Sequence, residues 1–240
     1  MTSTFVLIHG AGDIGWSWHL VAEELRTRGY EVLAPDLPSD DETLTLTDYA
    51  DSVVAAVEQA AISTTNLTVV GHSFGGFTAP LVADRLQADV LVLLAAMVPQ
   101  PGEPPEQWWD NVGFAEAVRI QAERDGGLTG SDDPYEAFFA DVPRELAERA
   151  MANERAHPSS TAMAQPWPLE AWPDVTTRFL LCRDDHFFPL DLFRRLVPDR
   201  LGLVPDEMPG SHGVALSRPK DLADRLEQYA LRPVGESHSS

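Results

Sequence analysis

Basic residues are scarce in this chain. Lys220 is its only lysine, and 17 lysines and arginines face 38 aspartates and glutamates. The formal charge of −21 leaves no clustered cations to neutralise phosphates, which argues against nucleic acid as a partner. The same balance disfavours strongly anionic substrates at long range. Cysteine is nearly absent: Cys182 stands alone, so no intrachain disulfide can form, and its apolar run reads as the site of a buried, inert thiol. No apolar run approaches the ~18 residues needed to cross a bilayer. The opening residues MTST lack a basic segment followed by an apolar one, so no secretory leader is expected. Together these absences predict a cytoplasmic protein with neither membrane nor nucleic acid as partner, and they leave a homodimer open.

What is present is ordinary globular material, 44% hydrophobic over 240 residues, enough for one sizeable core. Apolar runs alternate with amphipathic segments. Strands are expected at 5–9, 31–34, 66–70 and 90–97, with helices at 16–28, at 47–60 and from GHSFGG to about 86. Such alternation predicts an α/β fold, a mostly parallel sheet flanked by helices. After Pro99 the pattern breaks. Residues from about 100 to 173 hold no convincing strand, only proline-rich corners and helical pieces at 115–124 and 144–154. We read them as a helical cap inserted into a single domain spanning 1–232. Strand character resumes at 177–182 and, more weakly, at 202–204. A final amphipathic helix covers 220–231, and residues 233–240 read as a frayed tail.

The loop HGAGDIG, His9 to Gly15, follows the first strand and carries two readings. As G-x-G-x-x-G, with Asp36 at the end of the next strand, it would bind a dinucleotide. As H-G-x-G it would bind an oxyanion. Two features count against the nucleotide. No tyrosine has a lysine four residues on, so the proton-donor motif of short-chain reductases is absent. Trp16 and Trp18 also crowd the place where a pyrophosphate needs close backbone approach.

A complete competing site lies downstream. Gly71-His72-Ser73-Phe74-Gly75 is G-x-S-x-G between an expected strand and an expected helix, the sharp turn that presents a nucleophilic serine. A serine hydroxyl needs a base to take its proton and an acid to orient that base. His212, in MPGSHGVAL, follows the last strand and precedes the final helix, and it is the candidate base. Asp184 and Asp185, in RDDHFFP, both occupy the loop where the acid belongs. Asp184, Asp185 and His186 could also be read as metal ligands, but neighbours at a strand end do not easily converge on one ion.

FVLIHGAG, GHSFGG, CRDDHFFP and PGSHG, in this order and over nearly the whole chain, resemble the α/β-hydrolase family. The opening FVLIHGAGDIGWSW is most similar to the small enzymes that include plant methyl esterases and hydroxynitrile lyases. The resemblance implies an α/β-hydrolase fold and an oxyanion site built from the backbone N–H groups of Ala11 and Phe74. It implies that His9 braces the loop, that Gly10 leaves room for substrate, and that Asp185 is the acid, since D-H-F-F-P matches the family's acid-x-x-x-Pro run. Hydroxynitrile lyases of this group carry a threonine at or beside Ala11 and a lysine where Gly213 stands. Both are missing, so cyanohydrin cleavage is not expected.

The expected function is therefore a serine hydrolase. It would cleave small apolar carboxylic esters or lactones with Ser73, His212 and Asp185, through an acyl-enzyme and without metal or organic cofactor. The same three residues acting on a C–C or thioester bond, or a small-molecule sensor without turnover, remain alternatives. Among the aromatics of the cap and the acid loop, Trp108, Trp109, Phe138 and Phe187 are expected to line the substrate pocket.

Overall fold

A computed structural model of the chain describes residues 3–155 and 157–231. The expected tail at 233–240 lies outside the described residues.

Six strands form one parallel sheet in the order β2-β1-β3-β4-β5-β6. Their ranges are β1 Thr4–Ile8, β2 Glu31–Leu33, β3 Leu67–His72, β4 Val90–Leu94, β5 Thr176–Cys182 and β6 Asp206–Met208. Every residue of β1, β3 and β4 is buried, as continuous apolar runs covered on both faces must be. The flanking helices are α1 His19–Thr27, α2 Leu46–Ala60 and α3 Gly75–Leu86. Thr45 and Asp48 close a reciprocal capping box at the start of α2. From β1 the chain moves to one side to make β2, then returns to the other side for β3. That reversal opens a crevice at the carboxyl ends of β1 and β3, where ligands of open α/β sheets bind. HGAGDIG leaves β1 there and GHSFGG leaves β3 there.

Between β4 and β5 the described residues form five helices and no strand: α4 Pro105–Asn111, α5 Phe114–Asp125, α6 Pro134–Phe138, α7 Arg144–Ala152 and α8 Ser160–Ala164. Trp108 and Trp167 fasten this region to the sheet. Both are fully buried, and their indole N–H groups donate to the Val98 and Phe77 carbonyls, each at 3.0 Å. After β5 come α9 Leu190–Leu201, α10 Val214–Ser217 and α11 Pro219–Leu231. Among the described residues, no helix is long and apolar enough to cross a membrane.

A buried ion pair closes the cap's entry corner. The Arg200 guanidinium in α9 meets both Glu103 oxygens, at 2.5 and 2.9 Å, and also reaches the Val98 carbonyl. Glu103 is otherwise satisfied by Asn111 and the Gln100 N–H. Removing one partner strands the other's charge in a dry site. Arg200→Met is expected to lower unfolding free energy by about 3–5 kcal/mol. Urea titration would read this as a drop in midpoint at unchanged slope.

Three expectations are corrected. The helix expected at 16–28 splits into a 3-10 turn, Gly15–Trp18, and α1, so the chain leaves the glycine loop through a 3-10 turn and not an α-helix. The strand expected at 90–97 ends at Leu94, because Ala95 turns to a positive φ of 38° and leaves the ladder. The weak strand expected at 202–204 lies at 206–208 instead. Gly202 is the left-handed cap of α9, a helix that the sequence reading passed over, and Val204 is solvent-exposed.

Candidate active site

Ser73 sits between β3 and α3 with a φ of 52°, the left-handed region that a non-glycine residue occupies only under constraint. Its N–H donates to the Leu94 carbonyl, and its own carbonyl accepts from Gly76 and Met97, which pins the turn to the end of β4. The flanking glycines are required by space. A Cβ on Gly71 would meet Ala79 at 2.6 Å, and one on Gly75 would meet the His9 carbonyl at 2.8 Å.

His212 and Asp185 meet across the loops that follow β6 and β5, with Nδ1 to Oδ2 at 2.8 Å and both side chains buried. A carboxylate only accepts, so Nδ1 carries the proton and Nε2 is left as the acceptor. The other Asp185 oxygen takes the N–H groups of Phe187 and Phe188, at 2.9 and 2.8 Å. The Asp185 carboxylate is thereby oriented by two amides as well as by the histidine. Its neighbour does something else: Asp184 Oδ2 accepts from Gly210 N–H at 2.9 Å and steadies the histidine loop. His186 turns to the Glu136 carbonyl. Asp184, Asp185 and His186 thus engage three different partners and converge on no ion.

His72, beside the serine, reaches back to His212. Its Nε2 lies 3.1 Å from the His212 carbonyl, and the two rings are 4.6 Å apart. Since a carbonyl accepts, His72 Nε2 is the protonated nitrogen. Burial, reinforced by the His212 charge, holds His72 well below the usual histidine range, so it stays neutral. The Ser73 hydroxyl makes no hydrogen bond to His212 in this resting geometry, a contact that commonly tightens only with substrate.

The glycine loop faces the same point. A Cβ on Gly10 would lie 2.9 Å from Ser73 Cβ and 3.5 Å from Ser73 Oγ, so only glycine leaves that approach open. His9 is buried and spans the loop's base, accepting from Leu37 N–H at Nε2 and bonding the Gly10 carbonyl at Nδ1. The N–H groups of Ala11 and Phe74 donate to no acceptor among the described residues. The dinucleotide alternative loses its acid, since Asp36 accepts from Gly15 N–H at 2.7 Å.

Aromatic rings surround the histidine. Phe187 and Phe188 each stand 5.2 Å from the His212 ring and Phe138 stands 5.7 Å away, with Trp109 and Phe114 behind them. Trp108 does not belong to this wall: it has no exposed surface, and it packs beneath Trp109 as part of the core. Phe188, although its ring also faces His212, is only 3% exposed and packs in the core. A cavity of about 290 Å³ behind the acid loop is lined by polar side chains, Gln121, Asp125 and Arg183 among them, and neither Ser73 nor His212 reaches it.

The helical stretch between β4 and β5 is fastened directly to the histidine loop. The Phe138 carbonyl accepts from Gly213 N–H at 2.7 Å and from the Ser211 hydroxyl at 3.1 Å, and Asp141 takes the Ser211 N–H. A Cβ on Gly213 would strike Phe139 at 2.9 Å and the Phe138 carbonyl at 3.0 Å. A side chain at 213 would therefore have to push aside the Phe139 ring and crowd the Phe138 carbonyl.

Residues 5–225 match the alpha/beta hydrolase family. The chain belongs to that family. A putative methylesterase of Arabidopsis thaliana is 26% identical over 94% of this chain and 96% of its own length. A pyrethroid hydrolase of Sphingobium wenxiniae is 28% identical over 98% of this chain and 90% of its own. Among solved structures, polyneuridine aldehyde esterase superposes with a TM-score of 0.74 at 21% identity, over 95% of this chain and 99% of that one. The alpha/beta hydrolase is thus an enzyme whose similar proteins include esterases and hydrolases, and the resemblance to plant methylesterases holds.

Proposed function

We propose that the protein is a serine carboxylesterase acting on small apolar esters or lactones. The observation that carries this reading is the buried His212–Asp185 bond set beside a serine held at positive φ. Ser73 Oγ attacks the carbonyl carbon while His212 Nε2 takes its proton, and Asp185 stabilises the imidazolium that forms. The oxyanion falls to the two undonated amides, Ala11 and Phe74. His212 then protonates the departing alkoxide, and the alcohol leaves an acyl-serine. Water gives a proton to the same nitrogen and attacks the acyl carbon; the bond to Ser73 Oγ then breaks, His212 returns the proton to that oxygen, and the acid is released. The rings of Phe138, Phe187 and Trp109 supply an apolar wall suited to an acyl or alkyl group.

A fluorophosphonate tests the reading directly. Stoichiometric labelling at Ser73, strongly slowed in His212→Ala, is the expected result. Folded protein that takes no label would overturn it. A panel of esters, lactones, thioesters and β-diketones then ranks the bond cleaved, with esters and lactones expected first.

A further inference from the structure

Asp13 lies in the glycine loop, three residues past Gly10, to whose carbonyl its N–H donates at 3.4 Å. Most carboxylates near the site are occupied: Asp185 by His212 and two amides, Asp36 by Gly15, Asp184 by Gly210, Asp141 by Ser211 and Arg218. The Asp13 carboxyl takes no hydrogen bond among the described residues, though it lies within Coulombic reach of the His212 imidazole. The cap closes on the same loop from above. Arg155 N–H donates to the Gly12 carbonyl at 2.8 Å, and Glu154 Oε1 comes within 3.1 Å of where a Gly12 Cβ would stand. His157 follows at 3.6 Å from Glu154, while the Arg155 guanidinium turns away to Asp40. An unengaged, partly buried carboxyl therefore stands on the loop that borders the serine, near enough to His212 for the two charges to interact.

We propose that Asp13 is a specificity-determining residue that favours esters carrying a cationic group near the reacting carbonyl and turns away those carrying a carboxylate. The inference rests on the esterase reading and names its substrate class. The aromatic wall holds a substrate's apolar part and can attract a cation equally at any pH, whereas Asp13 adds a preference for the cation that appears only as its carboxyl ionises. Burial raises the Asp13 carboxyl to about 7, with Glu154 pushing the same way and His212 opposing. It changes from neutral to anionic across the neutral range, so its preference for a cation grows as pH rises.

The test compares kcat/KM for butyrylcholine with that for 3,3-dimethylbutyl butyrate, which differ by one nitrogen for carbon. The ratio cancels what His212 and Ser73 contribute to both reactions, because both substrates share them. In the unmodified enzyme the ratio is expected to rise about tenfold between pH 6 and 8.5, as a full charge appears in a partly desolvated site. Asp13→Asn flattens that rise, and Glu154→Gln leaves most of it. A ratio that does not change with pH in the unmodified enzyme overturns the proposal, as does a rise that survives in Asp13→Asn. Where turnover is slow, protection of Ser73 from fluorophosphonate by choline against 3,3-dimethylbutan-1-ol reads the same preference, and equal protection overturns it. Failure to label Ser73 at all would instead sink the esterase reading beneath it.

Discussion

Ser73→Ala is expected to lower kcat/KM for a reactive aryl ester by about 10⁴–10⁶-fold while leaving the thermal midpoint within a degree or two. The size follows from how such residues act as a unit, since removing the nucleophile alone costs nearly as much as removing the whole constellation. What survives is the contribution of the binding wall and the Ala11 and Phe74 amides. The fold should be indifferent because the strain at φ 52° is set by the backbone bonds of Ser73 to Leu94, Gly76 and Met97, which alanine keeps. Among the described residues the Ser73 hydroxyl has no hydrogen-bond partner to lose. Activity surviving within tenfold of the parent would mean that another group attacks the carbonyl.

Asp185→Asn should cost about 10⁴ in kcat with little change in KM, and Asp184→Asn less than tenfold. An amide at 185 can present its NH₂ to His212 Nδ1, which moves the imidazole proton to Nε2 and leaves no base facing Ser73. The Phe187 and Phe188 N–H groups already hold one oxygen of residue 185, so the asparagine is oriented with its NH₂ toward the histidine. Asp184 stands outside this chain of contacts. Its single task is to accept from Gly210, and an asparagine oxygen does that as well. Steady-state kinetics on the two variants separates the neighbours; equal losses would show that the loop, not the acid, is what matters.

The site was legible in the sequence to an unusual depth because its chemistry is spelled locally. G-x-S-x-G needs its glycines within two residues of the serine, and the close approaches at Gly71 and Gly75 are the reason for that spelling. The choice between Asp184 and Asp185 could not be made from spacing, because it depends on which way two adjacent side chains point after a strand. The strands failed at their ends for a related reason. Val90 to Met97 is one apolar run, yet the ladder stops where Ala95 turns toward the site, and nothing in the run's composition marks that turn. Trp108 was misjudged because an aromatic in a cap reads the same whether it faces a cavity or a core, and only the Val98 carbonyl decides. His72 and Asp13 lay inside motifs already singled out. Their roles depend on the His212 backbone and ring, about 140 residues and more away in the chain.

Caps of related enzymes invite exchange as modules, on the view that the sheet supplies chemistry and the cap supplies choice. The Phe138 carbonyl contradicts that division here, since one oxygen holds both Gly213 N–H and the Ser211 hydroxyl on either side of the base. A transplanted cap that misplaces this carbonyl would displace the proton acceptor along with the pocket wall. Chimaeras spliced between Phe138 and Asp141 should therefore change turnover even for substrates too small to touch the cap, whereas those that preserve this short stretch can vary the rest and alter selectivity alone.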